Sequence, residues 1–151
     1  MKAAVNLDGG QFLSDLFDTD IRVPLLRLAT DVRAQWEAMG VPHVTTNEFF
    51  FEPLRTAGRR QDVHRLRITG ATHLEVTDLA LIPATDRADV LSGGGKVKPQ
   101  RTLDLLNAFI RAHFDSVLLR VDNCFPKAQL ADFPEVAPID LGPVREWAAG
   151  K

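Results

Sequence analysis

Two side chains at strand ends stand where acid–base chemistry could be done. Residues 63–78 read VHRLRITGATHLEVTD, and the first half alternates, with Leu66 and Ile68 on one face and Arg65 and Arg67 on the other. That is the period of two that marks a β-strand. Gly70 ends the run, so His73 is expected just past the C-terminal end of the strand, the edge at which parallel-sheet enzymes place their chemistry. An imidazole there can take or give a proton near neutral pH, which makes His73 the first candidate base. Residues 2–10, KAAVNLDGG, read as a second small strand that ends in an acid, Asp8, on a Gly-Gly turn. The remaining histidines, His43, His64 and His113, show neither H-x-H nor H-E-x-x-H spacing, so no metal site is expected. The run GGGK at 93–96 lacks the closing Ser or Thr of a phosphate loop and follows no strand, so no nucleotide or other cofactor is expected.

These side chains need elements to carry them. Residues 23–29, VPLLRLA, form a near-continuous apolar run, as expected of a strand buried on both faces, with Pro24 tolerated near its start. The run ends at Thr30 and Asp31. Asp31 is therefore an alternative acid, although the plainer reading makes it the N-cap of a following helix. Residues 31–39 and 47–57 carry helix formers. The Phe49, Phe50, Phe51 run is too apolar for one helical face to hide and is expected to touch a partner, a pocket or a covered core. Residues 99–118 give the best helix, with Leu103, Leu106, Ile110, His113 and Val117 as its stripe and Leu105, Phe109 and Phe114 widening it. A histidine on such a stripe reads as structural. Pro126, Pro134, Pro138 and Pro143 exclude a long helix or central strand from the last thirty residues. That segment is expected to be an extended tail over the domain, with a short turn at 144–149.

Taken together, AVNLDGG, VPLLRLATD and GATHLEVTD resemble the last core strands of the α/β-hydrolases, in the branch of platelet-activating factor acetylhydrolase and dienelactone hydrolase. The resemblance runs from about Lys2 to Phe114. It implies a partial α/β-hydrolase sheet of about three parallel strands with flanking helices, residues 1–118 forming the C-terminal half of such a domain and residues 119–151 the tail. It also implies carboxyl-ester hydrolysis by a Ser-His-Asp mechanism, in which His73 matches the catalytic base and Asp8 the acid that orients it. Asp31 matches the acid position used on the later strand. None of the three serines, Ser14, Ser92 and Ser116, sits in a G-x-S-x-G elbow, so the nucleophile of the family has no counterpart here. The reading is therefore of an ester-hydrolase segment with an incomplete triad. The alternatives are a non-catalytic binding or interaction module, or a truncated gene product.

Composition narrows the partners. The chain has 151 residues, 45% hydrophobic and 25% charged, with 18 basic against 20 acidic side chains. That suits one globular domain and offers no broad attraction to nucleic acid or anionic lipid. Cys124 is the single cysteine, so no intrachain disulfide can form. No apolar run has the length of a signal or a membrane span, so a soluble, by default cytoplasmic, chain is expected. The expected partners are a small-molecule ester and, through the open edge of the first strand, a second copy or a complementing chain.

Overall fold

The computed structural model describes residues 2–9, 22–31, 60–77, 81–82 and 96–142. Three short strands, β1 (Ala4–Leu7), β2 (Leu25–Thr30) and β3 (Val63–Ile68), run parallel, and β4 (Val136–Pro138) closes the sheet antiparallel to β3. The order is β1-β2-β3-β4. With helices packed alongside, this is an α/β architecture. The expectations for residues 32–57, 93–95 and 144–149 lie outside the described residues.

β2 is buried at all six positions, as its unbroken apolar run requires between two neighbours. In register, Leu26 pairs with His64, Leu28 with Leu66 and Thr30 with Ile68. This row faces helix α1 (Pro99–Leu118), whose Leu105, Leu106 and Phe109 join Leu26, Leu28, Leu66 and Ile68 in one apolar core. Pro99 opens the helix at a position where its missing N–H costs nothing. The helix bounds are those expected, but the buried face is turned. Thr102, Leu105, Leu106, Phe109, Ala112 and His113 are buried, whereas Leu103, Ile110 and Val117 are only half-buried. Phe109 is the bulkiest side chain on the helix face, and seating it against β2 and β3 sets the rotation.

α1 runs back along the sheet. Lys96, just before it, donates its N–H to the Gly70 carbonyl at 2.7 Å, at the C-terminal edge of β3. Near its other end His113 lies edge-on to His64, with ring centroids 6.4 Å apart, close to the start of β3. Both histidines also pack on Phe125. Burial pushes both imidazoles below their usual pKa of 6.5, for His113 helped by His64 and opposed by the Ala4 backbone, for His64 opposed by Asp62. The folded state thus prefers neutral rings, so this stabilisation is complete above pH 6.5 and falls away as the pH drops through and below that value. Asp62 and Glu135, held below their usual carboxylate range by Arg60 and Arg101, lose their contribution only at still lower pH. The unfolding free energy is therefore expected to decline between pH 7 and 5, by up to about 1.4 kcal/mol per pH unit per histidine, read by urea unfolding. In His113→Phe the decline should be shallower, and an equal slope in both proteins would refute the assignment.

The tail departs from an extended strap. It forms a six-residue helix, α2 (Lys127–Asp132), and then β4. Prolines still mark the limits, since Pro126 precedes α2 and Pro138 sits on an edge strand, where a missing N–H breaks no ladder. β4 is tied down by Thr69 N–H to Glu135 O at 2.8 Å and by Ile139 N–H to Arg65 O at 2.9 Å. Arg101 on α1 pairs with Glu135, donates to the Asp132 carbonyl and lies 4.2 Å from the Phe133 ring centroid. Phe133 and Val136 complete the core. No helix among the described residues is long and apolar enough to cross a membrane.

Candidate functional site

The parallel pairing of β1, β2 and β3 brings three loop starts to one edge, each carrying a polar group: Asp8, Thr30 with Asp31, and the Gly70–His73 turn. Asp8 extends the ladder by one bond, its N–H meeting the Leu28 carbonyl at 2.8 Å. Its backbone then turns at φ 51°, a left-handed conformation that non-glycine residues adopt at a cost of about 1 kcal/mol or more. The turn directs the carboxylate across the ends of β2 and β3.

That carboxylate is almost fully engaged. Oδ1 accepts the Thr30 N–H at 2.7 Å, and Oδ2 accepts the Thr30 hydroxyl at 2.5 Å. Oδ2 also lies 2.6 Å from Nδ1 of His73. An ionised carboxylate only accepts, so the neutral imidazole carries its proton on Nδ1 and its lone pair on Nε2. The two partners differ sharply in exposure: the Asp8 side chain is 3% exposed and that of His73 60%. A buried acid thus grips an outward-facing base, and no described residue hydrogen-bonds Nε2, the nitrogen that could do chemistry.

The turn that carries His73 is clamped on both sides. Gly70 adopts φ 79°, where an added Cβ would stand 3.3 Å from Cβ of Lys96. Its N–H donates to Asp31 Oδ2 at 3.2 Å, and the Asp31 N–H donates to Ala71 O at 2.9 Å. Asp31, the alternative acid, is therefore turned toward Gly70, and Asp8 is the acid that meets His73. His73 itself opens a 3₁₀ turn, His73–Val76, in place of an irregular loop. Buried Glu75 reaches back to accept the Thr72 N–H at 2.7 Å. The T-x-x-E spacing of residues 72–75 is the sequence signal for that clamp. Thr30 had no comparable signal, because its partner lies 22 residues away on another strand.

Comparison with protein-family models, with curated proteins and with solved structures finds no match. The site must be read from its own geometry.

The opposite face of the sheet carries a second polar feature. Arg27 pairs in register with Arg65, and both are buried, at 3% and 5% exposure. Arg65 lies on the face of β3 opposite Leu66 and Ile68, so its burial shows that this face of the strand is covered as well. Burial, with Arg65 and Arg67 adding repulsion against the attraction of Asp8, pushes Arg27 down to about 10. Among the described residues its Nε and Nη1 have no hydrogen-bond partner. A buried cation beside like charges is costly, and an apolar side chain of similar volume is often tolerated better. Arg27→Met is expected to raise the stability by about 1–3 kcal/mol. A loss in urea unfolding would instead show a compensating anion at Arg27.

Proposed function

We propose that this chain supplies the acid–base pair of a carboxyl-ester hydrolase of the Ser-His-Asp type. The observation that carries the reading is the 2.6 Å contact between Asp8 Oδ2 and His73 Nδ1, made across the C-terminal edge of a parallel sheet. In such a mechanism the acid fixes the tautomer, and Nε2 of the base takes the proton of the attacking group, then returns it to the leaving group. Asp8 and His73 have the side-chain types, the contact and the difference in exposure that this division of labour needs.

The nucleophile is the open part of the reading. Ser116 lies near the far end of α1, roughly 25 Å of helix from its start beside Gly70, so it cannot reach His73. Ser14 and Ser92 lie outside the described residues. A base held as His73 is can still attack an activated ester directly or activate water on it. Hydrolysis of p-nitrophenyl acetate by the purified chain should therefore depend on His73, falling toward the buffer rate in His73→Ala. Equal rates in the two proteins would sink the reading in favour of a binding module.

A further inference from the structure

We infer that Thr30 is the positioning residue of this site, a role that rests on the reading of Asp8 and His73 as an acid–base pair. Thr30 ends β2, where five of the six residues are apolar or arginine stems and the whole strand is buried. Valine has nearly the same shape and suits such a strand better, because a hydroxyl without a partner is costly to bury. The hydroxyl here has a partner, and it is the oxygen that faces the base. One residue thus grips both oxygens of Asp8, with N–H on Oδ1 and Oγ1 on Oδ2. This two-point hold fixes rotation of the carboxylate about its Cβ–Cγ bond. The remaining acceptor direction of Oδ2 points to Nδ1 of His73. The hold also offsets the left-handed backbone of Asp8, which a freely rotating side chain would not justify.

The consequence is specific to the tautomer. His73 is mostly exposed, and a solvated histidine favours its proton on Nε2, which would leave that outward nitrogen without the lone pair that base chemistry needs. Here the acceptor that can keep the proton on Nδ1 is the held carboxylate of Asp8. With the hydroxyl removed, Oδ2 loses its anchor while Oδ1 keeps the backbone bond, so Asp8 stays in the fold but can turn away from the ring.

The test is long-range ¹H–¹⁵N correlation of the His73 ring, at a pH where the imidazole is neutral, in wild type, Thr30→Ser and Thr30→Val. Wild type and Thr30→Ser should show the Nδ1–H form alone, whereas Thr30→Val should shift toward Nε2–H. Circular dichroism checks that each variant is folded. Should Thr30→Val fail to fold, Thr30→Ala, which removes the donor and adds no bulk, carries the same expectation. A ring that stays wholly Nδ1–H in the folded Val or Ala variant overturns the inference. No ester is present, so the outcome is independent of turnover: an unmoved tautomer with His73-dependent hydrolysis refutes Thr30 alone, and a shifted tautomer without hydrolysis refutes the hydrolase reading alone.

Discussion

Phe109→Ala is expected to cost about 3–5 kcal/mol, the range for deleting a fully buried aromatic ring. The ring has no exposed surface and stands at the centre of α1's buried face. It also packs against Phe125 and Phe133, with centroids 6.3 and 6.0 Å away. The ring therefore joins three layers: the helix, the parallel strands beneath it and the returning tail. Collapse into the vacated volume is hindered because both neighbours are anchored elsewhere, Phe133 under Arg101 and Phe125 against the two histidines. Domains of this size are stable by only about 5–15 kcal/mol, so the loss is a large fraction of the total. Urea unfolding followed by circular dichroism reads it directly. A loss below about 1 kcal/mol would mean that the α1–sheet packing is not the main core.

The second large effect falls on chemistry. Removal of His73 is expected to reduce ester turnover by about 10²-fold, the lower end of what a positioned general base contributes. Asp8→Ala should do much the same while leaving His73 in place, because the ring then loses the acceptor that holds Nδ1–H. Asp8→Ala should also destabilise the fold, since the Thr30 N–H and hydroxyl lose their acceptor together. His73→Ala removes a mostly exposed side chain and should leave stability nearly unchanged. The pair of variants thus separates the two roles: both lose turnover, and only one loses stability.

What was legible in the sequence depended on local pattern. The apolar run of β2, the alternation in β3 and the spacing and initial proline of α1 are short-range signals, and each of the elements appears where they place it. Glycine and the strand ends located Asp8 and His73, and parallel pairing then brought them together. Three features depended on contacts distant in sequence. The burial of Arg65 comes from register, which sets it beside Arg27 on a covered face. β4 has only three residues, too few for a pattern, and exists through its bonds to β3. The hold of Thr30 on Asp8 joins side chains on neighbouring strands, and no spacing rule encodes it. The α/β class expected from these patterns is the one the sheet adopts, and the α/β-hydrolase relationship and the ester chemistry it implies remain our proposal.

The most direct test of the central claim is a double-mutant cycle on p-nitrophenyl acetate hydrolysis, with wild type, His73→Ala, Asp8→Ala and the double variant measured at matched concentration. Groups that act as one unit are strongly non-additive. If Asp8 works through His73, each single variant should lose most of the rate and the double variant should be no slower than His73→Ala. Rates that are unaffected by either substitution, or losses that multiply in the double variant, would contradict the account.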